Sequence, residues 1–183
     1  MTRARWDQVL VLSGIPGAGK TFYARWLEQR GYGRVSVDEL LGRPSGSWSQ
    51  LERAVLAAIN GDDAALRTEA ATSPGVVVEW GFHTSDLGRL ASMVDRGYVA
   101  WYFDGARAAA LEGWRNAHPG KSEEVWHEQV RMLNEAWSQI LSVYGKNVID
   151  TVNDLGVYLA PEEIDRRLGL AHDHVDSSSL PDA

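Results

Sequence analysis

The chain has 183 residues, no cysteine and a formal net charge of −7 at neutral pH. That length suits one domain with a full core, and the missing thiols exclude disulfides, thiolate nucleophiles and cysteine-held zinc. Hydrophobic residues make up 44% and charged residues 23%, an ordinary globular balance; no stretch reaches membrane-span length and no apolar leader opens the chain, so a cytoplasmic protein with no membrane partner is expected.

The first predicted element is a buried strand over Gln8–Leu12. It runs into Ser13 and then Gly14-Ile15-Pro16-Gly17-Ala18-Gly19-Lys20-Thr21, which fills the pattern G-x-x-x-x-G-K-[ST] of a phosphate-binding loop. A helical pattern follows over Phe22–Arg30. Each part of the motif has a physical job. The glycines let the backbone wrap a phosphate so that N–H groups point inward, and the helix start adds its positive dipole end. Lys20 would reach the β- and γ-phosphates and the Thr21 hydroxyl would bind Mg²⁺.

Further strands are expected at Arg34–Val37, Gly75–Trp80, Tyr98–Phe103 and Asn147–Thr151. Several are continuous apolar runs, the mark of strands buried on both faces. Between them, Ser49-Gln50-Leu51-Glu52 reads as a capping box ahead of a helix that ends near Gly61. A second helix reaches about Ala71. Ser85–Arg96 is amphipathic, Gly105–Ala117 is a further helix, and His118-Pro119-Gly120 breaks the chain. Ser122 caps one long helix through about Val143; Pro161 opens a last helix and Gly169 closes it. Residues 1–170 form the expected domain, with a lid at about 105–143, and the polar segment 171–183 is expected to be disordered. Strands alternating with helices imply a parallel sheet covered on both faces, with ligands bound at the carboxyl ends of the strands.

Strand ends are therefore where chemistry is sought. Asp38 follows the second strand; it is placed either to take the proton of an acceptor hydroxyl or to cap the turn that follows. Glu79 ends the apolar run of the third strand. It is a candidate to hold Mg²⁺ with Thr21, to bind the acceptor, or to tie a neighbouring loop. Trp80, Phe82 and His83 come next and could line an acceptor pocket. In the lid, Arg107, Arg115, Lys121 and Arg131 are the cations available to neutralise a transferred phosphoryl group, with Arg115-Asn116 the favoured pair. Residues 1–34 hold six Lys/Arg against two Asp/Glu, whereas 147–183 hold two against eight. The basic end surrounds the phosphate loop. No basic run suggests a polynucleotide track, so nucleic acid is not the expected partner.

Three segments, GIPGAGKT at 14–21, SVDE at 36–39 and VVVEWGF at 76–82 followed by WRN at 114–116, carry a family resemblance. The chain resembles the small P-loop kinases (AAA-type ATP-binding and kinase-like proteins) grouped with polynucleotide kinase, zeta toxin and chloramphenicol phosphotransferase. The resemblance implies a P-loop NTPase three-layer αβα sandwich, with a five-stranded parallel sheet in order 2-3-1-4-5 and a helical lid. It also implies ATP and Mg²⁺ as cofactors. Gly14, Pro16, Gly17, Ala18, Gly19, Lys20 and Thr21, with Arg115 and Asn116, would hold the nucleotide; Lys20, Asp38 and Arg115 would be catalytic, Asp38 as base. Asp38, Glu79, Trp80, Phe82 and His83 would meet the acceptor, and Thr21 and Glu79 the metal. The lid departs from the family pattern, being short of arginine and rich in tryptophan. Transfer of the γ-phosphate to a hydroxyl of a small molecule, an antibiotic or other natural product, is the leading expectation. The alternatives are a polynucleotide or nucleotide kinase, and a regulatory ATPase with no small-molecule acceptor. The oligomeric state is left open.

Overall fold

Five strands form one parallel sheet in the spatial order β2-β3-β1-β4-β5. They are β1 (Val9–Gly14), β2 (Gly33–Ser36), β3 (Val76–Glu79), β4 (Val99–Gly105) and β5 (Val148–Val152). The computed structural model describes residues 9–81 and 84–170; the expected tail at 171–183, the expected first strand residue Gln8, and Phe82 and His83 lie outside the described residues. Every residue of β1 and β3 is buried, as the apolar runs require for central strands covered on both faces. β1 pairs in register with β3 (Leu12 opposite Glu79) and with β4 (Gly14 opposite Phe103). The end of β1 therefore sits between the ends of two neighbours. The strand order reverses beside β1, where such sheets open a crevice.

Helices cover both faces of the sheet: α1 (Lys20–Gln29), α2 (Val37–Leu41), α3 (Gln50–Ile59), α4 (Ala64–Ala70), α5 (Leu87–Asp95), α6 (Arg107–Ala117), α7 (Glu123–Glu135), α8 (Trp137–Tyr144) and α9 (Pro161–Leu168). The architecture is the three-layer αβα sandwich of P-loop NTPases. Several local signals act as the sequence implies. Ser49 and Glu52 close a reciprocal capping box at α3 (Glu52 N–H to Ser49 Oγ 3.2 Å, Ser49 N–H to Glu52 Oε2 2.6 Å). Pro161 opens α9 and left-handed Gly169 ends it.

Three boundaries depart from expectation. The single helix expected over 122–143 is two helices, broken at Ala136. No Pro or Gly marks the break. Packing accounts for it: Trp137 and Tyr144 of α8 both meet the edge of the buried Tyr102 ring in β4, whereas α7 turns Trp126, Val130 and Leu133 inward. One straight rod cannot serve both surfaces. β2 ends at Ser36, and α2 begins before Asp38. Gly105 belongs to β4, with α6 starting two residues later. Among the described residues no helix is long and apolar enough to cross a membrane.

Candidate active site

The phosphate loop is shaped by two close approaches. At Gly14 (φ +135°) a Cβ would run into the Phe103 carbonyl of β4, and at Gly17 (φ +86°) into the Ala110 carbonyl of α6. Only glycine lets a neighbouring strand and helix lie directly on the loop. Its carbonyls are then taken from several directions. Lys20 Nζ donates to Gly14 O (2.9 Å) and Ile15 O (2.8 Å). The Trp126 indole of α7 donates to Pro16 O (2.9 Å), the Tyr158 hydroxyl to Gly17 O (2.7 Å) and the Thr151 hydroxyl of β5 to Ala18 O (2.6 Å). Each carbonyl from Gly14 to Ala18 is engaged, and among the described residues no backbone hydrogen bond outside the helices and strands takes the amides of Gly17, Gly19, Lys20 and Thr21. This is the nest that a phosphate group fits.

Beyond the loop opens a cleft of about 460 Å³. One wall holds Lys20, Thr21, Asp38, Glu39 and Glu79; the other holds Trp114 of α6, His118 and Lys121 after it, and Val125, Gln129, Met132 and Leu133 of α7. Thr21 Oγ1 donates to Glu79 Oε1, and the second oxygen, Oε2, accepts from Arg34 Nη2 at 2.8 Å. Asp38 is not the helix cap; Ser36 holds that position, and the Asp38 carboxylate instead accepts the Gly81 N–H at 3.0 Å, joining α2 to the segment after β3. Burial pushes Asp38 above the usual carboxylate range, against the pull of the Gly81 N–H and Lys20, and Glu79 and Glu39 push in the same upward direction. Burial likewise lowers Lys20 to about 8, although Glu79 and Asp38 favour its charged form.

Thr21 and Glu79 offer a hydroxyl and a carboxylate at one point of the cleft, an oxygen-only pair that suits a hard cation such as Mg²⁺. Among the described residues no group of three or more His, Cys, Asp and Glu forms a metal cage. Phosphate oxygens and water would complete the shell, as is usual for Mg²⁺.

The structure thus brings together Gly14, Pro16, Gly17, Lys20, Thr21, Asp38 and Glu79; Ala18 and Gly19 lie in the same loop, Ala18 buried beneath it. It does not bring in Arg115, Asn116 or Trp80. Arg115 is exposed and paired through Nε and Nη2 with Glu123 (2.6 Å each), and Asn116 is exposed beside it. Trp80 is a buried core residue whose amide extends the sheet to Leu12 O (2.9 Å), in place of the pocket wall expected of it. The reason for the first departure is helical phase within α6: Ala110 and Trp114 share its buried face, Trp114 lines the cleft together with His118 just past the helix end and Lys121 beyond the Pro119-Gly120 break, and Arg115 and Asn116 are turned to solvent. Arg107 and Arg131 are held by Asp104 and by Glu128 and Glu135. Arg34, Trp126, Thr151 and Tyr158 were not anticipated as site residues; their partners lie far away along the chain, where spacing carries no signal.

No family model and no curated protein sequence matches the chain. Solved structures do. Shikimate kinase from Acinetobacter baumannii, solved in complex with shikimate, is 16% identical, with 91% of this chain and 94% of that one covered and a TM-score of 0.55. Shikimate kinase from Bacteroides thetaiotaomicron is 14% identical over 87% of this chain and 90% of that one, with a TM-score of 0.41. At such identity the first likeness shows the fold alone and leaves chemistry to the site.

Proposed function

We propose that the protein is an ATP-dependent kinase that moves the γ-phosphate to a hydroxyl of a small molecule. The observation that carries this reading is the convergence of Lys20, Thr21, Asp38 and Glu79 on one cleft at the end of an anion nest. A turn that only joined β1 to α1 would need none of the four. The loop amides and Lys20 grip the phosphates, with Lys20 leaving the Gly14 and Ile15 carbonyls to do so. Mg²⁺, held by Thr21 and Glu79, would offset charge on the phosphate oxygens. Asp38 takes the proton of the acceptor hydroxyl as its oxygen bonds to the γ-phosphorus and the bond to the β-phosphate oxygen breaks. Its raised affinity for a proton makes it a better base than a solvated aspartate. The helices α6 and α7 act as the lid that keeps water from the reaction.

A small acceptor fits a cleft whose helical wall mixes apolar side chains with His118, Lys121 and Gln129, and the neighbouring fold with bound shikimate is compatible with it. Within the resemblance carried by residues 14–21, 36–39 and 76–82, an antibiotic or other natural product is the acceptor class we favour. Incubating a metabolite pool with γ-labelled ATP, then identifying by mass whatever gains a phosphate, tests the reading. A product that requires Lys20 supports it. Slow hydrolysis with no phosphorylated product at any acceptor concentration points instead to a nucleotide switch.

A further inference from the structure

We infer that Arg34 is a positioning residue for the metal corner of the cleft, orienting the Glu79 carboxylate toward Thr21 and tying that corner to the helix that bears Asp38. The inference rests on the kinase reading, in that the cation is the Mg²⁺ of a bound nucleotide.

The geometry is a chain of three side chains from three elements. Arg34 leaves the edge strand β2, Glu79 ends β3 and Thr21 starts α1. The two oxygens of the Glu79 carboxylate are divided between them: Oε2 accepts from Arg34 Nη2 at 2.8 Å, and Oε1 accepts from Thr21 Oγ1. A carboxylate held by one oxygen can swing about its Cγ–Cδ bond; one held from both sides keeps its plane. The same Arg34 nitrogen lies 3.5 Å from Glu39 Oε1, on the first turn of α2 beside Asp38. One guanidinium therefore spans the metal corner and the acceptor corner.

Burial separates this pair from ordinary surface charge. The Arg34 and Glu79 side chains are 11% and 8% exposed. Two charges so far from water are costly, and replacing a buried ion pair by an apolar pair of similar volume is often neutral or stabilising. The Arg34 Nε atom, moreover, is buried without a hydrogen-bond partner among the described residues. A charged pair retained in such a place is explained by what it holds. Lys20 cannot supply the same service throughout the cycle, because it must turn to the phosphates. Arg34 stays as the standing counter-ion to Glu79. Groups that orient metal-binding side chains from behind commonly control metal affinity by about 10–100-fold.

The test is a Mg²⁺ titration of the protein–ADP complex by calorimetry, for the wild type, Arg34→Lys and Arg34→Met. Mg²⁺-free ADP binding is expected to stay within about twofold in all three, because the loop amides and Lys20 are untouched. Mg²⁺ is expected to bind the Arg34→Met complex at least about tenfold more weakly, with Arg34→Lys recovering most of the loss. In transfer assays the Mg²⁺ concentration for half-maximal rate should rise by the same factor, while kcat at saturating Mg²⁺ changes little. Should Arg34→Met fail to fold, the double variant Arg34→Met/Glu79→Gln removes the stranded carboxylate; it is expected to fold and to bind ADP equally with and without Mg²⁺. Mg²⁺ affinity within twofold of wild type in Arg34→Met overturns the inference. So does an equal loss of ADP binding with and without Mg²⁺, or a double variant that retains the wild-type Mg²⁺ preference. A wild type that binds Mg²⁺–ADP but phosphorylates nothing would defeat the kinase reading alone and leave the Arg34 result standing.

Discussion

Arg34 and Arg115 each meet a glutamate, at 2.8 Å and 2.6 Å, yet they belong to different kinds of place. The first pair is largely buried, with Glu79 lining the cleft and Arg34 behind it. The second stands on the outer face of the helical cover, its side chains 48% and 45% exposed. Distance does not distinguish them; solvent does. In water a pair of long charged side chains gains little, since attraction is screened and ordering is costly. Out of water the same contact becomes an anchor, because loss of one partner strands the other. The comparison teaches that charges which act here should be sought by burial and aim, and that a favourable residue type on a predicted lid is not enough.

The largest effect that can break this contrast lies at Asp38. Asp38→Asn keeps the shape and can still accept the Gly81 N–H, so nucleotide binding should persist while transfer falls by about a hundredfold to ten-thousandfold. Unfolding on that substitution would return Asp38 to a purely structural role. Lys20→Ala should lower transfer by at least about a hundredfold, read from steady-state rates; wild-type turnover would remove the kinase reading.

Next in size is an effect of pH. Because burial lowers Lys20 to about 8 in the free protein, its ammonium is present below that pH and lost above it. Affinity for ADP without Mg²⁺ should therefore decline as pH rises through about 8, and binding just above that pH should take up a proton. Calorimetry in buffers of different ionisation heat measures the uptake, and Lys20→Met should abolish it. Trp126→Phe removes the donor to Pro16 O from a buried ring. A cost of about 1–3 kcal/mol in unfolding free energy is expected from the stranded carbonyl, measured by denaturant titration. The smallest effect is at the exposed pair. Arg115→Ala should leave the melting temperature and transfer rate nearly unchanged. A large loss of kcat there, with stability intact, would mean that Glu123 releases Arg115 when nucleotide binds, and the contrast drawn from burial would fail.

Much of the frame was legible because it rests on local patterns. Val9–Leu12 and Val76–Val78 are apolar without interruption, so central strands were evident; Ser49/Glu52, Pro161 and Gly169 mark helix ends by their own chemistry. The phosphate loop was readable because its demands on backbone shape and charge fall within eight consecutive residues. What stayed hidden is what depends on distant partners. Ala136 carries no breaker, and the turn there comes from α8 packing on Tyr102. Trp80 looks like a pocket wall in sequence but is drawn into the core. Arg34 is only the first residue of an expected strand until β3 places Glu79 beside it. The phase of α6 lies between these cases: Ala110 and Trp114 share its buried face by simple spacing, and attention to charge alone pointed to Arg115.

The outward carbonyls of the phosphate loop carry a consequence for how the protein is made. Pro16 and Gly17 are held by residues 110 and 141 positions further along the chain. On a ribosome the loop emerges long before Trp126, Thr151 and Tyr158 exist, so a nascent chain displays the motif without its supports. Synthesis runs at about 5–20 residues per second, which leaves the half-built nest waiting on the order of ten seconds. The last strand and the segment after it are thus the keystone of an arch whose first stones are laid at the opposite end of translation. On the kinase reading, competence to hold a nucleotide waits until Trp126, Thr151 and Tyr158 have been made and packed.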